Sequence, residues 1–326
     1  MIYINNTSTN PFFNFALEYY LMNEKKLPEN TVFLFWRTEP TLMIGRYQNT
    51  IEEINEKYVK KNKINVIRRI SGGGTIYTDL GGWQYSFITK GKAEQIDFNK
   101  YVTPIVEALN KIGVGAEFNS RNDLVINNRK FSGNAQCMIS DYTLHHGSLL
   151  FNTDLGEMIK SITVDEYKII SKGIKSVKER VTNIADHLKE PMDSMKFKEL
   201  MVQSVMRGSK NEYKLTDEDI RRVNEISKNK FEMWEWNYGK SPKFNITKTG
   251  RFNGGKMEFK LDVNGGIIER CTVYGDFFGT VDINSFCNVL MGCKYNKESI
   301  KEALEKNNMQ NVFYDINYLN LIDVIC

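Results

Sequence analysis

Histidine is nearly missing from this chain, with three in 326 residues. Zinc sites draw on closely spaced imidazole and thiolate ligands, so that scarcity speaks against a zinc centre. The five cysteines, at 137, 271, 287, 293 and 326, are odd in number and contain no Cys-x-x-Cys pair. They read as reduced thiols and not as a disulfide framework. No apolar run reaches the ~18 residues of a membrane span. The first residues, Met1-Ile2-Tyr3-Ile4-Asn5-Asn6, lack the basic and apolar regions of a secretion signal, so the expected location is the cytoplasm. Charge of one sign is not in excess either: a net +4 is too mild to argue for nucleic acid.

What is present is the content of a soluble globular protein, 41% apolar and 26% charged. The length suits one large domain with a smaller companion. The densest local signal is Arg68-Arg69-Ile70-Ser71-Gly72-Gly73-Gly74-Thr75-Ile76-Tyr77-Thr78-Asp79-Leu80-Gly81-Gly82. Three glycines between two strands let the backbone approach a ligand closely, because no Cβ intervenes. Their N–H groups can line a concavity that attracts anions, and the flanking arginines add charge. The stretch is not a P-loop, since no Gly-Lys-Ser/Thr closes it. It is not a dinucleotide fingerprint, since a strand and not a helix follows.

Hydrophobic periodicity predicts strands at Ile2–Ile4, Thr31–Trp36, Thr41–Ile44, Ile64–Arg69, Thr75–Thr78 and Trp83–Thr89. The pair Thr31–Trp36 and Thr41–Ile44 is expected to form a hairpin around Thr38-Glu39-Pro40. A helix from Asn10-Pro11 through Met22, a charged helix over Glu52–Lys61 and an amphipathic helix over Phe98–Ile112 are expected. Short strands follow at Ala116–Phe118, Leu124–Ile126, Arg129–Phe131 and Leu144–Phe151, with Asn127-Asn128 as a tight-turn signal. Helices are expected at Asp154–Ile162, Val164–Ser171, Thr182–His187, Ser194–Arg207 and Asp217–Lys228. With no strand–helix–strand alternation and no internal repeat, the class is α+β: a large domain with a mixed or antiparallel sheet flanked by helices. A boundary near Lys248 divides residues 1–247 from 248–326. The second part is expected to be a small accessory unit of one hairpin and two helices.

Beyond the glycine loop, Lys130 opens a strand directly after the tight turn, and Asn122 and Asp123 lie on the strand before it. A lysine beside a carboxylate suits phosphate and metal work. His145 and His146 are adjacent on a strand and face opposite ways, so at most one can reach a shared pocket. Lys172 to Asn183 form a dense basic loop before a helix. Cys137 with either histidine is a possible thiol dyad, and no Ser-His-acid arrangement can be inferred.

These motifs together resemble the bacterial lipoate–protein ligase family of the biotin/lipoate ligase superfamily. The resemblance rests on Arg68-Arg69 with Ser71-Gly72-Gly73-Gly74, Arg121-Asn122-Asp123-Leu124, Lys130 with Ser132-Gly133, and His145-His146-Gly147. It continues with Lys172-Gly173-Ile174, Arg180-Val181-Thr182-Asn183 and Trp234-Glu235-Trp236-Asn237-Tyr238-Gly239, spanning nearly the whole chain. It implies two steps: lipoate attacks the α-phosphorus of ATP to give lipoyl-AMP, and a carrier lysine then takes the acyl group. By motif matching, Lys130 is the catalytic residue, bridging carboxyl and α-phosphate. The match implies Asn122 and Asp123 by the phosphates, with Asp123 a Mg2+ contact. It places Ile76, Tyr77 and Thr78 at adenine, largely through their backbone. Arg69, Ser71, Gly73 and Gly74 would line the acyl-adenylate cleft, and Trp36 and His146 would border the tunnel for the acyl tail. It further implies that the Lys172 loop closes over the adenylate and that the accessory domain rotates between steps. The implied partners are apo lipoyl domains of 2-oxoacid dehydrogenase E2 subunits or the glycine cleavage H protein, served by a monomer without nucleic acid or membrane. The alternatives are an octanoyl or lipoyl transferase working through a cysteine thioester, a biotin–protein ligase, and a non-catalytic carrier-binding protein.

Overall fold

The computed structural model describes all residues except 49, 92–94, 120–121, 163–179, 239–245 and 265, and the side chains of 51, 52 and 56. Among the described residues the largest sheet has eight strands: β1 (Ile2–Ile4), β2 (Thr31–Trp36), β6 (Gly82–Lys90), β7 (Glu117–Phe118), β8 (Asp123–Ile126), β9 (Arg129–Ile139), β10 (Tyr142–Leu150) and β11 (Glu212–Tyr213). Their order is β11-β1-β2-β6-β10-β9-β8-β7. β1 runs parallel to both β2 and β11, and the remaining pairs are antiparallel, so the sheet is mixed as expected.

Side chains on a strand alternate between faces, and here both faces are covered. Phe33, Phe35, Trp83, Tyr85 and Phe87 point to one side. There they pack on the helices Asn99–Lys111 and Ser194–Val205 through Tyr101, Ile105, Leu109, Phe197 and Met201. Leu34, Trp36, Ile88 and Leu144 point to the other, against Phe15, Leu17 and Leu21 of α1 (Pro11–Asn23). Double coverage is why β2 reads as a continuous apolar run, Val32 to Trp36, all buried. The helix α1 starts where its sequence dictates: the Asn10 side chain accepts from the N–H groups of Phe12 and Phe13 at 2.9 and 3.3 Å, and Pro11 needs no partner at the first helical position.

A second sheet sets β3 (Thr41–Ile44) between β4 (Asn65–Arg68) and β5 (Ile76–Thr78). The expected hairpin of Thr31–Trp36 with Thr41–Ile44 does not form. β1 and β6 take both edges of β2, leaving none for β3, and the Glu39-Pro40 corner bonds elsewhere, to Thr9 and Asn65. The single helix expected over Glu52–Lys61 is two, Thr50–Glu53 and Glu56–Lys61. Asn55 breaks it by capping the second, its side chain accepting from Tyr58 N–H at 3.2 Å. Thr182–His187 is reduced to a 3-10 turn over Ile184–His187. The helix expected at Val164–Ser171 and the Lys172–Glu179 part of the basic loop lie outside the described residues.

The C-terminal sheet is β12 (Ile246–Phe252), β13 (Gly255–Asn264) and β14 (Ile267–Gly275), followed by helices Ile283–Leu290, Lys297–Lys306 and Tyr318–Ile325. The expected hairpin is β13–β14. The unit also holds a strand that starts before Lys248 and a third helix, and it encloses its own apolar cluster of Met257, Phe259, Leu261, Phe286 and Leu304 among others.

Phe35 is central to the first face, its ring 5.1 Å from Trp83 and 6.3 Å from Phe197. Truncating such a side chain removes its transfer energy and leaves a cavity. Phe35→Ala should therefore cost about 3–5 kcal/mol, measured as a lowered urea midpoint with an unchanged slope.

Candidate active site

The second face of the large sheet becomes the floor of a cavity where α1 stops covering it. Register sets the floor in rows. Trp36 lies opposite Gln84, which lies opposite Ser148. In the next row Leu34, Ser86, His146 and Ala135 follow one another across four strands. One wall is the glycine loop with Arg69, Gly73, Gly74, Thr75 and Ile76; another is the β8–β9 hairpin with Asn122, Asp123, Lys130 and Gly133. Asp276 and Phe278 of the C-terminal unit complete the enclosure.

The hairpin turns at Asn127 and Asn128, with φ of 50° and 61°, the left-handed conformation that asparagine tolerates in two-residue turns. The turn folds Lys130 back on the preceding strand, and its Nζ stands 2.7 Å from Asp123 Oδ1. Gly133 leaves room for this lysine: a Cβ there would meet Lys130 Nζ at 3.3 Å. Asn122 serves the hairpin itself, its Nδ2 donating to Asn134 O at 2.9 Å. Beside Lys130, the N–H of Thr182 donates to Lys130 O at 2.9 Å, and Asn183 exchanges two hydrogen bonds with the Thr153 backbone. This accounts for the Arg180-Val181-Thr182-Asn183 motif. Arg121 lies outside the described residues.

The glycine loop is held from beneath. Arg69 is 5% exposed; its Nη1 donates to Met43 O at 2.8 Å and its Nη2 to Gly72 O and Gly74 O at 2.8 and 2.7 Å. Burial lowers its pKa to about 10, with the charge of Arg68 a lesser cause, so the group stays cationic at neutral pH. Arg68 turns the other way. It donates to Gly45 O, Arg46 O and Gln48 O at 2.9, 3.0 and 2.6 Å and to Trp236 O at 3.0 Å. Its carbonyl accepts from the Trp236 indole at 2.7 Å, and its N–H donates to Asn237 Oδ1 at 2.9 Å. The Trp234-Glu235-Trp236-Asn237 motif is thus a clasp on the strand that feeds the loop.

Of the tripeptide expected at adenine, Ile76 lines the cavity. The Tyr77 ring is buried away from it among Leu42, Ile44 and Val66. Thr78 is buried and accepts from Gln84 Nε2 at 2.6 Å. Trp36 and His146 both line the cavity. His145 faces the opposite side, stacked on Tyr101 at 4.9 Å, and burial holds its pKa well below the usual value. Cys137 sits opposite Leu144, not a histidine, and burial pushes its thiol up to about 12, which removes the thiol dyad.

No motif announces the chain that fixes His146. Its Nδ1 lies 3.2 Å from Glu18 Oε1, and its Nε2 lies 2.5 Å from Ser71 Oγ. Ser86 Oγ donates to Glu18 at 2.6 Å and accepts from the Trp36 indole at 2.9 Å. Ser71 is fully buried behind the loop, so this Ser–His–Glu array positions the loop and the tail-side wall and offers no nucleophile to the cavity. Glu18 had one sequence signal: with Asn14 it places two polar side chains four apart on an otherwise apolar helix.

The cavity can therefore hold an elongated molecule with an apolar end near Trp36 and an anionic end near Lys130. Residues 10–206 match the family described as Lipoyl protein ligase A/B catalytic domain, and residues 241–325 match Bacterial lipoate protein ligase C-terminus. Lipoate–protein ligase 1 of Staphylococcus aureus is 41% identical over 98% of this chain and 97% of its own. Lipoate-protein ligase LplJ of Bacillus subtilis is 40% identical over 100% of both. Among solved structures, P. falciparum LipL1 in complex with lipoate superposes with a TM-score of 0.80 at 25% identity, covering 98% of this chain and 97% of that one. A lipoate-protein ligase A bound with ATP shares the fold, with a TM-score of 0.62 at 22% identity over 73% of this chain and 98% of that one.

The three glycines differ in what they tolerate. A Cβ on Gly72 would lie 2.2 Å from the Phe277 carbonyl oxygen, whereas one on Gly74 would meet nothing nearer than 3.6 Å. Gly72→Ala should destabilise the chain by about 1–3 kcal/mol and Gly74→Ala by clearly less, compared by urea unfolding of the two variants.

Proposed function

This chain belongs to the lipoate–protein ligase family, and we propose that it activates lipoate with ATP and passes the acyl group to a lysine of a carrier domain. In the first step a carboxylate oxygen of lipoate bonds to the α-phosphorus as the bond to pyrophosphate breaks. In the second the carrier lysine's amine bonds to the acyl carbon, AMP leaves with the carboxyl oxygen, and the amine gives up its proton. The physical obstacle is repulsion: a carboxylate must approach a polyanion. Fixed cations aimed at the reacting phosphorus offset that repulsion without reorganising.

The observation that carries the reading is Lys130, held 2.7 Å from Asp123 at the cavity edge opposite the glycine loop. With substrates bound, Lys130 is the cation that bridges the lipoate carboxyl and the α-phosphate. Asp123 holds the ammonium in place until then. Mg2+ suits a site with one or two carboxylates, because it keeps waters and takes the rest of its shell from substrate phosphates. Asp123 is the residue we assign to hold it, and the bound cation would supply positive charge to the departing pyrophosphate. Trp36 and His146 line the tail's end of the cavity, and Arg69, Ser71, Gly73 and Gly74 shape the adenylate cleft, two of them from behind its surface. Ile76 to Thr78 take adenine through their backbone. The acceptors we propose are lipoyl domains of E2 subunits or the glycine cleavage H protein, met by a monomer in the cytoplasm, with residues 248–326 as the accessory domain.

The same-fold transferase is disfavoured because the segment Glu117–Ile126 contains no cysteine, and Cys137 is protonated in the core. The experiment is mass spectrometry of an apo lipoyl domain after incubation with ATP, Mg2+ and lipoate. A mass gain that requires ATP is expected, and acyl transfer without ATP would refute the ligase reading. Lys130→Ala should lower pyrophosphate release roughly 100-fold or more; a near wild-type rate would remove Lys130 from the mechanism.

A further inference from the structure

The floor of the cavity holds one group that the reaction as described does not use. Gln84 sits mid-row between Trp36 and Ser148 and is 4% exposed. Its Nε2 donates to Thr78 Oγ1 at 2.6 Å, which fixes the amide, and the residue lines the cavity. That oxygen is buried and has no hydrogen-bond partner among the described residues. A buried carbonyl oxygen left without a donor is costly, and native sites place such groups where a ligand supplies the missing hydrogen.

The substrates narrow the choice of donor. Ionised lipoate carries a carboxylate, methylenes and a dithiolane, none of which donates. Pyrophosphate is chiefly an acceptor. The incoming lysine amine must reach the acyl carbon beside Lys130. The remaining donors belong to ATP: the 6-amino group of adenine and the ribose hydroxyls. Gln84 is tied to Thr78, and among the described residues β5 is the outer strand of its sheet, paired with β3 alone. The free edge of such a strand presents unpaired backbone N–H and C=O groups, which a planar base can meet edge-on. Thr78 is the last residue of that edge, and Gln84 is hydrogen-bonded to it.

We propose that Gln84 is a nucleotide-specificity residue, its Oε1 accepting from the 6-amino group of adenine. The same oxygen would face the carbonyl of guanine, acceptor against acceptor. Glutamine is suited to this, since its amide matches the amine edge of adenine. The assignment rests on the ATP-dependent reading above.

The test compares pyrophosphate release by the full-length protein with saturating lipoate and one of three nucleotides: ATP, purine riboside triphosphate, which lacks only the 6-amino group, and 2′-deoxy-ATP. The wild type should favour ATP over purine riboside triphosphate in kcat/KM by roughly 10- to 100-fold, the worth of one well-made base contact. Gln84→Leu should lose that preference while its KM for lipoate and its ratio of ATP to 2′-deoxy-ATP stay unchanged. Because the readout is a ratio within one variant, a general loss of stability does not imitate it; Gln84→Met repeats the test if the leucine variant does not fold. An unchanged purine preference in both variants would overturn the assignment. So would a change confined to the 2′-deoxy arm, which would move the contact to the ribose, or to the KM for lipoate. A wild type that releases no pyrophosphate with any nucleotide would end the parent reading and this one with it.

Discussion

A buried guanidinium bonded to three carbonyl oxygens is the constraint on which the cavity depends. Arg69 reaches under the glycine loop and ties Gly72 and Gly74 to the backbone of β3. Backbone carbonyls packed this closely would repel one another and lie unsatisfied; one fixed cation answers all three. The loop's curvature is thus set from inside the protein, leaving its outer surface to a ligand. Gly73 adopts a φ of 92°, and its N–H donates to Phe277 O at 3.0 Å. The loop is therefore also a joint between the two parts of the chain.

The neighbouring arginine does different work with the same chemistry. Arg68 gathers the turn at Gly45–Gln48 and the Trp236-Asn237 clasp, while the buried Glu18–His146–Ser71 chain braces the loop from α1. Two arginines, one histidine and one glutamate thus serve the shape of the loop. Lys130 is distinct among these groups in being half exposed, with a side-chain accessibility of 42%, and it is the one whose charge faces the space where substrates would sit. Preorganised scaffolds and a cation facing the substrate space are the arrangement expected where the task is to lower electrostatic repulsion.

Much of this was legible in the sequence, and the limits have physical causes. Local signals read well: the Asn10-Pro11 helix start, the Asn127-Asn128 turn and the β13–β14 hairpin are all decided within a few residues. Pairing partners read poorly. Thr31–Trp36 and Thr41–Ile44 look like a hairpin, and only the distant strands β1 and β6 determine that they are not. Within the site, the motif residues Arg69, Lys130 and Asp123 were visible as unusual charges near glycine. Ser86 and Gln84 were not, because each is an ordinary residue inside an ordinary element, and Glu18 showed only as a polar residue on an apolar helix. Their meaning comes from the cross-strand register, which places Trp36, Gln84 and Ser148 in one row. Tyr77 illustrates the converse: its place in the motif singled it out, yet strand alternation sends its ring into the core.

The clasp at Trp236 and Asn237 sets a condition on how the protein is made. Arg68 and its partners there are 168 and 169 positions apart, and β1 pairs with β11, joining Tyr3 to Glu212. A chain emerging from the ribosome in order carries its glycine loop long before it carries the residues that lock it. Until position 237 has cleared the exit tunnel, the carbonyl and amide of Arg68 lack these partners, and the first strand has β2 on one edge and waits for β11 on the other. Such late closure means that the N-terminal half reaches its final arrangement only once most of the chain has been made.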